Sequence, residues 1–370
     1  MKTIVIVGSS FSGVYTAHRL LKQAPKTGDI KIILVGQSTH IYWNLATPRA
    51  ILAGQFPDNK IFGAIAPGFK KYGNKFEFVV GTAESLNTES KNVVVATTAG
   101  QKTISYDYVI LATGARSKGD APWKQRESYE ATLAALHDFQ ARVKKASSIV
   151  VGGAGATGVE TAGELGFEYG KTKNITLISS GPVILEGTPS GVTNAATNKL
   201  REFKVNLKLS TKINGEAKLP DGRTELSLSD GSKLITDLYL STTGVIPNSS
   251  YVPNNLLNAN GYVVVDEYLR AKGTSDVWAV GDISSVQRPQ FVHLDKQSAL
   301  VTKNIGLLMQ GKDLVKFPTN QSPVLAVPLG RKAGTGHMGS WKLPSFMIVR
   351  VKGKTYLTQN LAPVIDGSAA

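Results

Sequence analysis

Two glycine-rich loops contain the residues whose types and spacing could do chemistry. The second loop has Gly153, Gly155 and Gly158 in a Gly-x-Gly-x-x-Gly arrangement, with Thr157 before the last glycine. In such a loop the first glycine permits a tight turn, the second lets the backbone approach a pyrophosphate, and the third allows close packing of helix on strand. The N-terminus of the following helix offers free N–H groups and a partial positive charge to the phosphates. This loop therefore predicts a dinucleotide site.

The first loop departs from that arrangement at one position. Gly8 and Gly13 are the outer glycines, Ser10 stands where the middle glycine is expected, and Phe11 follows it. Serine is small enough to leave room for a pyrophosphate. Either loop alone could be a tight strand-to-helix turn without a nucleotide, but two copies that start 145 residues apart predict two dinucleotide sites.

The residues that would contact the ribose groups differ from the usual pattern. An acid at the end of the second strand normally holds the ribose hydroxyls. Here Gln37 follows the second strand of the first copy, and Ser179 and Ser180 follow that of the second. Gln37 can still hydrogen-bond a ribose. Without an acid near Ser179, NADPH is accommodated as well as NADH, or the pocket is merely permissive; both interpretations stay open.

Apolar strand-like runs and helical segments surround both loops in the same order, which predicts two βαβ units. The segments are 3–7, 14–23 and 30–35 in the first copy, and 148–151, 159–169 and 174–178 in the second. Further strands are predicted at 76–80, 92–97, 103–111, 206–210, 225–228 and 235–242. The last predicted strand of each copy is followed by the same residue pair, Thr113-Gly114 in the first copy and Thr243-Gly244 in the second. The chain is therefore predicted to be α/β, with two Rossmann-like domains and a small C-terminal α+β cap from about Phe317.

Composition excludes several kinds of site. The 370 residues include no cysteine, so disulfides, thiolate zinc sites, iron–sulfur clusters and redox-active cysteine pairs are excluded. With five histidines and no ligand pattern, no metal site is predicted. No apolar run approaches the roughly 18 residues that a membrane span needs. Because a strand-like run begins at Thr3, we expect no cleaved signal or transit peptide, and a cytoplasmic protein.

Positive charge is concentrated in one segment. The formal net charge is +15, and residues 311–354 hold eight Lys and Arg against one Asp. Trp341, Phe346, Met347 and Tyr356 are interspersed with or follow these cations. This composition suits peripheral contact with an anionic membrane, such as a mitochondrial outer face or a lipid droplet, but it also suits a solvated face on a folded cap. No nucleic-acid-binding motif is present.

A third element completes the set of motifs. Residues 274–282 form an apolar run that ends in Gly281-Asp282. With the glycine loops and Thr-Gly strand ends, this order resembles the two-dinucleotide-binding-domain flavoprotein superfamily. The resemblance implies that Asp282 hydrogen-bonds the ribityl chain of FAD, that the first loop binds the FAD pyrophosphate and that the second binds NAD(P)H. It also implies the domain bounds: FAD at 1–118 and 265–316, NAD(P)H at 119–264, and the cap at 317–370.

The absence of cysteine excludes the thiol-dependent branches of that superfamily. Residues 42–50 and 327–337 are similar to segments of the apoptosis-inducing-factor-like oxidoreductases, in the branch of the mitochondrion-associated inducer of death or ferroptosis suppressor, which is related to type II NADH:quinone oxidoreductases. This resemblance implies that Arg49 approaches the FAD and that the backbone of Ala83 contacts the adenine. It also assigns Thr113, Gly114 and Gly244 to the cofactor sites.

Two polar residues are candidates for the reaction itself. Glu160 lies in the first helical turn after the second loop, where an acid is favourable against the helix dipole. The resemblance implies that Glu160 faces the nicotinamide and flavin, and that Gln297, expected to open the helix after Asp282, lies near the flavin and acceptor; Gln297 could equally be structural. Glu164 is expected to be solvated.

The resemblance thus implies an FAD-dependent NAD(P)H oxidoreductase that passes electrons to a quinone-type acceptor. A reductase for a protein acceptor such as a ferredoxin stays open, as does a slow flavoprotein that acts mainly by binding nucleic acid or membrane. The sequence does not indicate an oligomeric state.

Overall fold

The computed structural model describes residues 1–287, 290–318 and 322–370. Five parallel strands form its first sheet: β1 (Lys2–Val7), β2 (Ile30–Gly36), β5 (Phe76–Val80), β9 (Tyr108–Leu111) and β19 (Val277–Ala279). Their order is β19-β9-β1-β2-β5. Val, Ile and Leu dominate these strands because both faces of a parallel sheet are covered. The strand β19 comes late in the chain. The first sheet is therefore formed by segments that precede the second sheet in the sequence and by one that follows it.

A second parallel sheet repeats the plan. It contains β11 (Ser148–Gly152), β12 (Asn174–Ile178), β13 (Val205–Lys208) and β17 (Leu238–Ser241), in the order β13-β12-β11-β17. Each glycine loop leads from the first strand of its sheet into a helix, as in a βαβ unit. The helices are α1 (Phe11–Thr27), α2 (Thr47–Ala50), α3 (Ala66–Phe69), α4 (Tyr129–Lys145), α5 (Ala156–Tyr169), α6 (Ser190–Glu202) and α7 (Phe291–Met309).

Antiparallel strands cover or extend the two parallel sheets. Three-stranded layers are formed by β6 (Thr82–Asn87), β7 (Asn92–Thr97) and β8 (Gly100–Ser105), and by β14 (Ile213–Lys218), β15 (Thr224–Leu228) and β16 (Lys233–Thr236). Two-stranded pairs are formed by β3 (His40–Tyr42) with β4 (Phe62–Ala64), and by β10 (Ala115–Ser117) with β18 (Val245–Pro247).

The C-terminal cap is a small α+β unit. It contains the antiparallel strands β20 (Val324–Leu329), β21 (Ala333–Met338) and β22 (Trp341–Lys342), followed by α8 (Ser345–Ile348), a π-helix (Val349–Gly353) and α9 (Leu361–Asp366). The predicted fold class, including this cap, is confirmed. The exact domain bounds stay a prediction.

The predictions of two long strands are wrong, because the structure divides each of them into two shorter strands. The run 103–111 is divided into β8 and β9, and the run 235–242 into β16 and β17. An aspartate lies at each division: Asp107 accepts a hydrogen bond from the Thr3 N–H, and Asp237 accepts bonds from the Ser147 and Ser148 N–H groups. Each aspartate therefore ends an antiparallel strand and attaches the chain to the start of its parallel sheet.

Candidate cofactor and electron-transfer site

The first glycine loop is packed too closely for side chains at its outer positions. Gly8 has a φ of +120°, and a Cβ there would lie 2.2 Å from the Ala112 carbonyl oxygen. A Cβ at Gly13 would lie 1.7 Å from the Gly8 carbonyl oxygen. Ser10 precedes α1 without capping it, so the first N–H groups of the helix stay available to a phosphate.

A cavity of about 580 Å³ lies in front of this loop and brings several predicted FAD residues together. Its lining includes Ser10 from the loop, Gln37 from the end of β2, Ala83 from β6 and Thr113 from the end of β9. The Gln37 amide donates a hydrogen bond to the Thr82 hydroxyl at 3.1 Å. The fold thus places residues from separate stretches of the sequence around one cavity, and their contacts with FAD stay a prediction.

Asp282 forms an ion pair with a residue that lines this cavity, and the sequence did not predict this pair. Its carboxylate accepts a hydrogen bond from Lys124 Nζ at 2.7 Å, and Lys124 lines the cavity. No motif surrounds Lys124, so only the fold indicates that it belongs here. The hydrogen bond of Asp282 to the ribityl chain of FAD stays a prediction.

Two further predicted residues make contacts within the protein, while their roles toward FAD stay predictions. Phe11 is buried and contacts Trp43 and Phe291 edge to face, with ring centroids 5.1 and 5.3 Å apart. The expectation that Gln297 opens a helix is wrong, because α7 begins at Phe291. Gln297 Oε1 instead accepts a hydrogen bond from the Gly281 N–H at 2.7 Å, which holds the turn that carries Asp282.

The middle position of the second glycine loop is open, whereas Ser10 occupies the same position of the first loop. A Cβ at Gly158 would lie 1.8 Å from the Gly153 carbonyl oxygen, whereas a Cβ at Gly155 would meet no atom within 4 Å. The Thr242 hydroxyl, at the end of β17, donates to the carbonyl oxygens of Gly152 and Gly153. The loop is thus fixed at its base and open at Gly155, as a pyrophosphate at the start of α5 requires. Thr157 lies in the first turn of that helix, and Gly244, with a φ of +70°, follows β17.

An acid does lie near the predicted ribose position of the second site. The buried Ser179 hydroxyl binds within its own loop, donating to the Val183 carbonyl oxygen at 3.2 Å. A Cβ on Gly181 would lie 2.5 Å from Glu186 Oε2. Glu186 therefore brings a carboxylate beside Gly181 in the loop that follows β12, although it comes later in the chain than the pattern expects.

A buried ion pair joins α2 to α5. Arg49 Nε and Nη2 donate to the two carboxylate oxygens of Glu164, each at 2.8 Å, and the two side chains are 3% and 1% exposed. Arg49 also donates to the Gly353 carbonyl oxygen at 2.7 Å, and the Tyr356 hydroxyl donates to Glu164 at 3.0 Å. Burial keeps the pKa of Tyr356 well above its usual value, so this hydroxyl stays protonated. The predicted approach of Arg49 to FAD stays a prediction.

The expectation that Glu164 is solvated is wrong. Residues 158–166 of α5 are all buried, because the second sheet covers one side of the helix, and α2 and β20 of the cap pack against it as well. A second acid on this helix is also buried. Glu160 accepts a hydrogen bond at Oε1 from Lys352 Nζ, and the two side chains are 5% and 17% exposed.

Lys352 belongs to the basic segment that was predicted to lie at a surface, and the π-helix turns it inward. Lys352 Nζ also approaches the Ala326 carbonyl oxygen at 3.3 Å. Burial raises the pKa of Glu160 above its ordinary value, and the charge of Lys352 opposes part of that rise. A carboxyl group of raised pKa bonded to an ammonium group can hold and release a proton inside the protein. The sequence indicated Glu160 but gave no signal for its partner.

The whole chain is similar to known oxidoreductases. Residues 2–299 match the family model described as pyridine nucleotide-disulphide oxidoreductase. The chain is 46% identical to oxidoreductase ptaL of Pestalotiopsis fici, with all of both chains covered, and 26% identical to human ferroptosis suppressor protein 1, with 95% of this chain and 92% of the relative covered. The structure superimposes on a sulfide:quinone oxidoreductase from Aquifex aeolicus with a TM-score of 0.81, at 17% identity and covering 99% and 92% of the chains. Among the residues that the structure describes, no helix is long and apolar enough to span a membrane.

Proposed function

Because the chain belongs to the pyridine nucleotide-disulphide oxidoreductase family and is similar to the ferroptosis suppressor proteins, with FAD and NAD(P)H as its cofactors, we propose that it reduces a quinone-type acceptor. The observation that carries the proposal is the buried Glu160–Lys352 pair, one turn beyond the second glycine loop. Bound FAD supplies hydride acceptance from NAD(P)H and transfer of two electrons onward. The chain holds no cysteine, so its acceptor must be reached without a thiol.

The proton balance gives the Glu160–Lys352 pair a role. NAD(P)H and a quinone yield NAD(P)⁺ and a quinol when one proton is added to the transferred hydride. We propose that Glu160 and Lys352 hold that proton at Glu160 Oε1 and release it toward the acceptor, with Gln297 only positioning the Gly281–Asp282 turn. The first loop, Gln37, Ala83 and Asp282 would hold FAD, and the second loop would hold NAD(P)H.

The proposal is tested by turnover of the purified flavoprotein with NADH or NADPH and different acceptors. We expect a water-soluble short-chain quinone to be reduced to its quinol in an amount equal to the NAD(P)H consumed. A ferredoxin should be reduced much more slowly. Rapid reduction of a ferredoxin with no quinone turnover would replace this proposal by the protein-acceptor function.

Asp282→Ala should weaken FAD binding. A hydrogen bond to a charged group contributes about 1.5–3 kcal/mol, so we expect the dissociation constant for FAD to rise roughly 10- to 100-fold. Titration of the flavin-free protein with FAD measures this, and Asp295→Ala, which removes an exposed partner of Arg19, is the matched control. Equal FAD affinity in both variants would refute the assignment of Asp282 to the ribityl chain.

Glu186→Gln should shift the nucleotide preference toward NADPH. A carboxylate in the loop that follows β12 accepts bonds from ribose hydroxyls and repels a 2′-phosphate, so its neutralisation should raise the NADPH to NADH ratio of kcat/KM about tenfold, which is roughly 1.4 kcal/mol. Steady-state kinetics with both nucleotides measures the ratio. Glu216→Gln, an exposed change on β14, should leave it unchanged. If Glu186→Gln affects both nucleotides equally, its carboxylate does not lie at the ribose.

A further inference from the structure

One face of the cap sheet carries a row of exposed apolar side chains. Val324 of β20 is paired with Met338 of β21, and Met338 is paired with Trp341 of β22. Paired residues of antiparallel strands project from the same face of a sheet. These three residues are 36%, 53% and 81% exposed, and exposure rises toward the edge strand.

The helix α8 continues this row on the same face. Ile348 packs over Gly334 and Gly336, where added Cβ atoms would lie 2.5 and 2.9 Å from its side chain. Gly334 and Gly336 alternate with Met338, so α8 lies on the face from which Met338 projects. Its Phe346 and Met347 are 70% and 40% exposed, and Val351 of the π-helix is 54% exposed. We call these six residues the apolar face: Val324, Met338, Trp341, Phe346, Met347 and Val351.

The other face of the sheet is attached to the rest of the protein. The buried Thr335 hydroxyl donates to the Val192 carbonyl oxygen of α6 at 3.3 Å, and a Cβ on Gly163 of α5 would lie 3.1 Å from Leu329. The sheet is therefore held firmly on one side, while the apolar face projects from the other.

Cations without acidic partners lie next to the apolar face in the sequence. Arg350 precedes Val351 in the π-helix and Lys354 follows that helix; both are exposed, and in the described part of the chain neither side chain forms an ion pair. Lys342 is paired with His337 and therefore projects from the opposite, attached face. The chain has no Asp or Glu between Asp313 and Asp366. The partner of this surface must therefore be anionic and must also bury apolar side chains.

We propose that the apolar face and its cations form a docking surface for an anionic phospholipid bilayer. Trp341 and Phe346 suit the interface between headgroups and acyl chains, and the cations suit the negative headgroups. Nucleic acid would match the charges but leave Met338 and Val351 exposed, because phosphates and ribose offer no apolar surface for them. An exposed apolar patch of this kind is typical of an interaction site rather than of a solvated surface. The inference is independent of the proposed acceptor, because binding is measured without turnover.

The test is co-sedimentation of the purified flavoprotein with vesicles at low salt. We expect binding to vesicles of phosphatidylserine and phosphatidylcholine in equal parts, little binding to phosphatidylcholine alone, and release of bound protein by added salt. Each cation near an anionic surface strengthens binding about fivefold, so the double variant Arg350→Glu/Lys354→Glu should lose at least tenfold in partition. The double variant Trp341→Ala/Phe346→Ala should lose a similar factor by removing the inserting side chains.

Matched controls use exposed residues away from the cap. Lys272→Glu and Ile235→Ala should bind as the unaltered protein does. Quinone turnover of Trp341→Ala/Phe346→Ala in solution should be unchanged, which separates a failure of docking from a failure of the proposed function. No binding, equal binding to neutral vesicles, or binding that survives both double variants would overturn the proposal. Self-association that Trp341→Ala/Phe346→Ala abolishes, without vesicle binding, would also overturn it and assign the face to a second copy of the chain.

Discussion

Arg49→Met should lower the free energy of unfolding by about 3–5 kcal/mol, because it leaves the 1%-exposed carboxylate of Glu164 without its charged partner. The Gly353 carbonyl oxygen of the cap loses a hydrogen bond as well. Urea unfolding followed by circular dichroism measures the change.

Two comparisons make this prediction sharp. Arg331→Met removes an exposed ion pair with Glu168 on the same helix and should cost no more than about 1 kcal/mol. Arg49→Met/Glu164→Leu replaces the whole buried pair by apolar groups and should recover much of the loss, because the unpaired charge is then absent. If Arg49→Met and Arg331→Met lower the free energy of unfolding by the same amount, the Arg49–Glu164 pair does not join α2 to α5 in solution.

Glu160→Gln and Lys352→Met should each lower kcat for quinone reduction by roughly 100-fold, the usual scale for loss of a general acid. Each change removes the arrangement that holds the proton at Glu160 Oε1. Reduction of the flavin by NADH in a single turnover should stay within about threefold of the unaltered protein, because that step takes a hydride and no separate proton.

A second electron acceptor distinguishes a role of the Glu160–Lys352 pair in proton delivery from a purely structural role. Ferricyanide takes electrons without a proton, so its reduction by Glu160→Gln should be nearly unchanged. Lys354→Met, two residues from Lys352 but exposed, is the matched control and should reduce both acceptors normally. If quinone and ferricyanide reduction fall together, the pair has a structural role only.

The features that could be predicted from the sequence depend on residues that lie close together along the chain. The positions of Gly8, Gly13, Gly153 and Gly158 follow from spacing alone, because the tight turns between strand and helix leave no room for a Cβ at these positions. Apolar runs likewise predicted the parallel strands, since these are buried on both faces. The antiparallel division at Asp107 was missed because only the position of the Thr3 N–H makes that aspartate end a strand.

The unpredicted parts of the site come from contacts between distant segments. Periodicity along α5 shows which side faces its own sheet, but it cannot show that a cap far along the chain buries Glu164 and brings Lys352 to Glu160. The sequence does not distinguish Lys352 from the exposed cations of the same segment, because composition does not show which side of a π-helix a residue occupies. Lys124 is the same kind of case, since its pairing with Asp282 requires two segments that only the fold brings together.

The central claim is that this chain transfers electrons from NAD(P)H through FAD to a quinone-type acceptor. An anaerobic single-turnover experiment in a stopped-flow spectrometer tests it most directly. We predict that NADH or NADPH bleaches the flavin absorbance of the purified protein, and that a short-chain quinone then restores it with formation of an equal amount of quinol. A flavin that NAD(P)H reduces but that no quinone reoxidises would contradict the claim, and so would folded protein that binds no FAD.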